Sequence, residues 1–248
     1  MTLAPLRMSV PASDGLILKG TLTYPAGAAG HRHPLAVLAH QYPATRDSYA
    51  PLVADLLAAG IATLAFDQRG HGESITSPRG PLVVDTPEGV TLEAFGSAFV
   101  SSVAKVGFQR IENDVVRVTS WGVAQNFIDG SRLALVGASV GGSGVLLAAP
   151  GLPGVRAVAT VGAAGALAFG PDGPERIRRA VEQGSAIRFL LASSRDDSFE
   201  GAANAETWSR QLGHVRALIV PGSGHAMAIY FAVRDELVGF LSDALGAP

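Results

Sequence analysis

One serine of the chain stands in a setting that could make it a nucleophile. Ser139 lies in a Gly-x-Ser-x-Gly sequence, between Gly137 and Gly141, directly after the apolar run 133–136. This context predicts a tight strand-to-helix turn with a strained backbone, which lifts the serine hydroxyl clear of the sheet. The two glycines avoid clashes at that turn, and the start of the following helix presents free N–H groups to a developing oxyanion. We therefore expect Ser139 to be a nucleophile.

A histidine that could serve as its base lies late in the chain. His225 follows the predicted strand 215–220 through a loop of small residues, 221–224. Small residues there would let an imidazole reach across the carboxyl edge of the sheet towards the serine. His214 precedes the same strand, so it should emerge at the opposite edge. We therefore expect His225, rather than His214, to take the proton of the nucleophile.

An aspartate that could orient this histidine should follow the preceding strand. Asp196 and Asp197 are adjacent after the apolar run 187–191, and only one of them can point inward. Asp196 is the preferred candidate, because Phe199 then falls three residues later, where an apolar anchor commonly sits. Asp197 stays open as the alternative.

Backbone N–H groups near Ser139 could stabilise the oxyanion that nucleophilic attack generates. The third apolar run ends in His40, Gln41 and Tyr42. An N–H group of this loop, together with that of Val140, could form the oxyanion hole. We expect Tyr42 to be the loop donor, with Gln41 as the second choice.

These side chains need a sheet that presents them at one edge, and the hydrophobic pattern predicts one. Eight apolar runs are bounded by turn residues, at positions 6–10, 17–24, 35–39, 61–66, 133–136, 155–161, 187–191 and 215–220. The first two are close enough to pair as antiparallel strands. From residue 35 onward, helical patterns alternate with the runs, which is typical of a parallel sheet with helices on both faces.

Residues 77–110 interrupt this alternation, because they are far longer than an ordinary connection. The first half is rich in proline and glycine, and the second half is apolar and predicts a helix. The segment is either a lid or pocket wall, or a structural flap over the core. Its three aromatic residues, Phe95, Phe99 and Phe108, favour an apolar acyl or aromatic ligand. The connection 162–173, by contrast, is too short for a large cap.

Composition excludes several other classes of function. The 248 residues are 48% hydrophobic and only 16% charged, which suits a single domain over 1–248 with one large core. A net charge of −2 offers no basic surface for nucleic acid or an anionic membrane. The absence of cysteine excludes disulfides and thiolate catalysis. With neither a signal-peptide pattern nor an apolar run of membrane-spanning length, we expect a cytoplasmic protein.

The ordered set of motifs resembles the α/β-hydrolase superfamily over essentially the whole chain. The resemblance covers residues 35–65, the run Phe-Asp-Gln-Arg-Gly-His-Gly-Glu-Ser at 66–74, the serine turn, the acid turn and the late histidine. The order Ser, Asp, His is that of this fold. In relatives the loop after the third strand usually reads His-Gly, whereas here Gln41 replaces the glycine. Arg69 and His71 belong to a turn that is mostly structural in relatives.

This resemblance implies a three-layer α/β-hydrolase fold with a mostly parallel, eight-stranded sheet. It implies hydrolysis of a small-molecule carboxylic ester or related acyl compound, through an acyl-enzyme on Ser139, with no cofactor and no metal. Thioesterase, acyltransferase, peptidase and perhydrolase chemistry stay open within serine catalysis. A non-catalytic ligand-binding or scaffold protein is the alternative, which Gln41 mildly favours, and a homo-oligomer is compatible with the sequence.

Overall fold

A computed structural model describes residues 5–25, 32–89, 91–199 and 201–247. The strands are β1 Leu6–Pro11, β2 Ile17–Thr23, β3 His33–Ala39, β4 Ala62–Phe66, β5 Thr76–Ser77, β6 Gly80–Pro81, β7 Ile128–Ala138, β8 Val155–Val161, β9 Arg188–Ser194 and β10 Val215–Val220. The helices are α1 Ala50–Ala58, α2 Leu92–Val106, α3 Ile111–Val123, α4 Val140–Ala148, α5 Gly173–Gln183, α6 Gly201–Gln211 and α7 Tyr230–Leu245.

The strands form one sheet in the order β10-β9-β8-β7-β3-β4-β2-β5-β6, with β1 paired to β2. All pairs from β4 through β3 to β10 are parallel, whereas β1, β2, β5 and β6 pair antiparallel. The six parallel strands, β3, β4, β7, β8, β9 and β10, therefore deliver the loops that follow them to the same edge of the sheet. This is where ligands bind in open α/β sheets.

Alternating side chains of the central strands supply two hydrophobic cores, one on each face of the sheet. In β3, Leu35 and Val37 pack on the face covered by α3, α4, α5 and α6. Their neighbours Ala36 and Leu38 pack on the opposite face, against α1 and α7. Both sets are fully buried, which is why these strands are continuous hydrophobic runs in the sequence. No helix in the described parts of the chain is long and apolar enough to cross a membrane.

The three-layer α/β fold is confirmed, and the eight predicted strands are all present, but the sheet has ten strands. The two additional strands, β5 and β6, form a small antiparallel pair at the start of the segment 77–110. Each has only two residues, too few for an alternating pattern to reveal them. The apolar second half of that segment is helix α2, which Thr91 caps at its N-terminus and Gly107 ends in a left-handed conformation.

A buried arginine ties this long segment to the sheet. Arg69 is fully buried after β4 and forms an ion pair with Asp114 of α3, with 2.7 Å between Arg69 Nε and the carboxylate. It also contacts the Asp14 carboxylate at 3.1 Å and donates to the carbonyl oxygen of Val106, at the end of α2, at 2.8 Å. These contacts agree with the structural role predicted for Arg69, because they join β4 to α2 and α3.

We expect Arg69→Met to destabilise the protein by about 3–5 kcal/mol, because it leaves the Asp114 carboxylate buried without its cation. Denaturant unfolding monitored by circular dichroism would measure the loss. The matched control is Arg179→Met on α5, which removes an exposed ion pair with Glu175 and should cost less than about 0.5 kcal/mol. Equal losses in the two variants would show that the buried pair does not anchor the segment.

Candidate active site

Ser139 occupies a sharp turn between β7 and α4. Its backbone has φ 51° and ψ −122°, a left-handed region that a residue with a side chain rarely adopts. The turn is held from both sides: the N–H of Ser139 donates to the carbonyl oxygen of Val161 at 3.2 Å, and its own carbonyl accepts from the N–H of Ala164 at 3.2 Å. The strained backbone is thus fixed by the segment that follows β8.

The two flanking glycines are required by close backbone approaches at this turn. A Cβ atom on Gly137 would lie 2.4 Å from the carbonyl oxygen of Gly141. One on Gly141 would lie 2.2 Å from the carbonyl oxygen of Ala39 and 2.5 Å from that of His40. A methyl group at either position would push the turn away from its neighbours. The structure thus agrees with the prediction that the two glycines avoid clashes at this turn.

The loops after β9 and β10 are joined by a ladder of backbone hydrogen bonds. The N–H groups of Arg195 and Asp196 donate to the carbonyl oxygens of Val220 and Gly222, at 2.8 and 2.9 Å. The Ser194 hydroxyl donates to the carbonyl oxygen of Gly224. These bonds fix the acid loop and the histidine loop relative to each other.

Asp197, and not Asp196, contacts the histidine. Asp197 Oδ2 lies 2.7 Å from His225 Nδ1, and the Asp197 side chain is only 1% exposed. The preference for Asp196 was wrong: its N–H is bound to the neighbouring loop, and its side chain is exposed to solvent. The other oxygen of Asp197 accepts from the N–H of Phe199 at 3.0 Å, so the aromatic anchor follows the inward aspartate by two residues instead of three.

The Asp197 contact determines which nitrogen of His225 can accept a proton. A carboxylate can only accept, so His225 Nδ1 donates to it, and Nε2 keeps its lone pair in the neutral ring. Nε2 is buried and has no hydrogen-bond partner among the described residues. Gly162 makes room for the pair, because a Cβ atom there would lie 3.1 Å from His225 Nδ1 and 3.2 Å from Asp197 Oδ2.

The same short segment touches both halves of the site. Val161 accepts from the N–H of Ser139, and the next residue, Gly162, lies against His225 and Asp197. Sequence analysis missed this role of Gly162. Its position directly after the apolar run 155–161 was the available signal, since the preceding strands also end in functional loops.

The loop after β3 is held in place by a buried, neutral histidine. The N–H of Gln68 donates to His40 Nε2 at 2.9 Å, so His40 Nδ1 carries the proton and donates to the carbonyl oxygen of Gln41 at 2.8 Å. Burial lowers the pKa of His40 to about 3. Because C=O and N–H point in opposite directions across a trans peptide, fixing the Gln41 carbonyl also fixes the direction of the Tyr42 N–H.

The three expected oxyanion donors belong to the loop after β3 and to the first residue of α4. Val140 is the first residue of α4, and no hydrogen bond between described residues uses its N–H or those of Gln41 and Tyr42. The Gln41 side chain is half-buried, and its Oε1 atom has no hydrogen-bond partner within the described residues. The loop also packs against α4, where Gly141 meets the carbonyl oxygens of Ala39 and His40.

Aromatic side chains from three segments form a wall over the site. The Tyr42 ring packs edge-on against Phe95 and Phe99 of α2, with 5.4 Å between ring centroids in each case. Phe95 lies 5.9 Å from Phe199, whose ring lies 4.4 Å from that of His225. Helix α2 therefore forms a wall between the loop after β3 and His225, whereas Phe108 is fully buried beneath it.

His71 supports this wall without reaching the expected base or acid. Its ring is 3% exposed and packs against His40, Tyr42 and Phe108. Burial lowers the pKa of His71 to about 4, so the ring is neutral at pH 7. Within the described residues, no group of three or more His, Cys, Asp or Glu side chains is arranged to hold a metal ion.

Comparison with known proteins places this geometry in context. A family model described as alpha/beta hydrolase fold matches residues 34–182. Among curated proteins, an uncharacterized 31.7 kDa Escherichia coli protein of the traX-finO intergenic region is 33% identical over 138 residues. That match covers 55% of this chain and only 38% of the relative's length.

Solved structures with the same fold align along nearly the whole chain. A dienelactone hydrolase from Anabaena variabilis is 22% identical with a TM-score of 0.65, over 97% of this chain and 99% of its own. An acetyl xylan esterase from Paenibacillus sp. R4 is 19% identical with a TM-score of 0.63, over 96% and 83%. Est1E from Butyrivibrio proteoclasticus, bound to ferulic acid, is 16% identical with a TM-score of 0.66, over 96% and 99%.

The buried histidine predicts a pH dependence of stability. His71 has a pKa of about 4 in the folded chain, against an ordinary value of 6.5, so below pH 6.5 the unfolded chain binds a proton that the folded chain does not. Stability should therefore fall as the pH drops, until the folded ring is protonated too. Between pH 7 and pH 5 this histidine accounts for a loss of about 2 kcal/mol.

We expect His71→Gln to reduce that acid sensitivity by about 2 kcal/mol, whatever its effect at pH 7. Urea unfolding at pH 5, 7 and 8 would measure it for both proteins. Between pH 7 and 8 the two stability curves should run parallel. If they also ran parallel down to pH 5, His71 would not be a buried neutral group.

Proposed function

Because the chain belongs to the α/β-hydrolase fold family, we propose that it is a serine hydrolase that cleaves a carboxylic ester or a related acyl compound. The observation that carries the proposal is the Asp197–His225 pair. The 2.7 Å contact at Nδ1 leaves Nε2 as a buried lone pair without a described partner. Ser139 stands on its strained turn at the same edge of the sheet, joined to this pair through Val161 and Gly162.

In the first half of the reaction, Ser139 Oγ attacks the carbonyl carbon of the ester and passes its proton to His225 Nε2. Asp197 holds the ring in the required tautomer and stabilises the imidazolium that forms. When the tetrahedral intermediate collapses, the bond to the leaving oxygen breaks. The proton held by His225 goes to that oxygen, so an alcohol leaves and an acyl-Ser139 ester remains.

Backbone donors stabilise the negative charge that develops on the carbonyl oxygen. The N–H of Val140, at the start of α4, has no hydrogen-bond partner among the described residues, and His40 fixes the direction of the Tyr42 N–H. Donors of this kind need no reorganisation during the reaction, and removal of one in other serine hydrolases costs about 10²–10³ in rate. The N–H of Gln41 is the second candidate donor from this loop, and it has no hydrogen-bond partner among the described residues.

In the second half, a water molecule gives a proton to His225 Nε2 and attacks the acyl carbon. Collapse of the second tetrahedral intermediate returns the proton to Ser139 Oγ and releases a carboxylic acid. An ester, rather than an amide, is favoured by the structural neighbours, which include an acetyl xylan esterase and an Est1E structure with ferulic acid.

A p-nitrophenyl alkylphosphonate tests the nucleophile directly. We expect release of one p-nitrophenol per protein molecule and a covalent adduct on Ser139, located by peptide mass mapping, because only an activated serine reacts stoichiometrically. Ser139→Ala, checked for folding by circular dichroism, should give neither. If the folded wild-type protein forms no adduct, the site is not assembled for catalysis, and a ligand-binding protein becomes the better interpretation.

The adjacent aspartates provide a matched pair for the acid. Asp197→Asn should lower kcat for p-nitrophenyl acetate by about 10³–10⁴, because an amide can stabilise the wrong histidine tautomer and cannot stabilise the imidazolium. Asp196→Asn removes the same charge one residue away, on an exposed side chain, and should change kcat by less than about twofold. The reverse ranking would assign the role to Asp196.

A further inference from the structure

A cavity of about 520 Å³ lies beside the candidate active site, between α2, α4, α5, α6 and the connection 162–173. Its floor includes Thr160, Leu191 and Ala192, at the carboxyl ends of β8 and β9. Pockets that enclose small ligands typically measure about 300–1,000 Å³, so the volume suits a substantial part of a substrate.

Four residues connect this cavity with the candidate active site, two through their side chains and two through their backbone. Phe199 lines the cavity and packs against the His225 ring, and Phe99 lines it and packs against Tyr42. Ser143 and Ala164 also line it, and their N–H groups both donate to the carbonyl oxygen of Ser139, each at 3.2 Å. The cavity therefore adjoins the serine turn and shares two aromatic walls with the site.

The chemistry of the lining excludes a charged occupant. No described residue of the lining carries a charged side chain. The Ser143 hydroxyl already donates to the carbonyl oxygen of Ala164 at 2.8 Å. Much of the remaining surface comes from small or aliphatic side chains, namely Leu146, Ala163, Ala166, Ala168, Ile177 and Ala205. The other polar side chains of the lining, Thr160, Asn204 and Trp208, are neutral. A carboxylate or ammonium group would therefore meet no opposite charge here, whereas an alkyl group would lose only its contact with water.

The exposed part of the lining carries two large aliphatic side chains beside the Asn204 amide. Val100 of α2 and Leu167 of the connection both line the cavity, although they are 69% and 70% exposed. Large aliphatic side chains this exposed are typical of a surface that receives an apolar ligand.

We infer that this cavity binds an uncharged alkyl group of the substrate, with about six to ten carbons. The inference rests on the proposed function, since it makes the substrate a medium-chain ester. The alkyl group belongs either to the acyl part or to the alcohol part of the ester.

Two series of substrates distinguish the acyl part from the alcohol part of the ester. One consists of p-nitrophenyl esters from acetate to decanoate, and the other of alkyl acetates from methyl to decyl. We expect kcat/KM to rise about fourfold per methylene up to about eight carbons in one series, since each methylene leaves water. A rise in the first series places the chain on the acyl side, and a rise in the second places it on the alcohol side. A flat response in both series overturns the inference.

Adjacent positions on α6 supply the variant and its control. Asn204 lines the cavity and is exposed, so Asn204→Trp should fold while it narrows the cavity. It should cut kcat/KM for the octanoate ester at least tenfold and that for the acetate ester less than twofold. Ala203→Trp, on an exposed position outside the lining, should change neither. Equal effects of Asn204→Trp on both esters would contradict the assignment.

A binding measurement separates the cavity from catalysis. Octanoate titrated calorimetrically into Ser139→Ala should bind at least tenfold more tightly than acetate, and Asn204→Trp in the same background should remove the difference. If no ester is hydrolysed but octanoate binds in this way, the proposed function fails and the cavity assignment stands. If acetate esters are hydrolysed and octanoate binds no better than acetate, the cavity assignment fails alone.

Discussion

The close approach of backbone segments around Ser139 is the constraint on which the rest of the site depends. With φ 51°, the residue reverses the chain so sharply that α4 begins at the next position. Gly141 then comes so near the carbonyl oxygens of Ala39 and His40 that even a Cβ atom would not fit. This contact brings the loop after β3 to the serine turn. The early helix start leaves the Val140 N–H without a partner in the part of the chain that the structure describes.

The other residues of the candidate site are positioned by neighbouring strands, since the parallel strands all end at the same edge of the sheet. Hydrogen bonds between the loops after β9 and β10 hold Asp197 against His225. The buried His40 fixes the loop after β3 in the same way, through its hydrogen bond to the Gln41 carbonyl oxygen. In both places a histidine is held in one tautomer by a fixed partner. At His40 the neutral ring is required, because protonation of Nε2 would remove the acceptor for the Gln68 N–H. At His225 the contact with Asp197 uses Nδ1, so Nε2 stays free for the proton transfer proposed for it.

The sequence predicted most of the fold, because the buried parallel strands are continuous apolar runs and the serine turn has a steric signature. It failed where a contact joins distant segments. The spacing to Phe199 favoured Asp196, but Asp197 is the residue that contacts His225. The Asp196 N–H is instead bonded to the carbonyl oxygen of Gly222, in the loop after β10. The aromatic residues of 77–110 predicted an apolar ligand, and Phe99 does line the cavity. The cavity itself could not be predicted, since α2, α5, α6 and the connection 162–173 contribute to it together.

The structure separates the groups that would perform the reaction from those that would select the substrate. Ser139, Asp197 and His225 sit at strand ends, where the sheet fixes the backbone on both sides. The cavity is instead built largely from helices and a connection. Phe99 and Phe199 are the aromatic side chains that contact both regions, and Ser143 and Ala164 join them through their backbone. A substitution deep in the cavity can therefore change its volume without moving the serine turn. Substitutions at these two phenylalanines would affect both regions, because they pack against Tyr42 and His225.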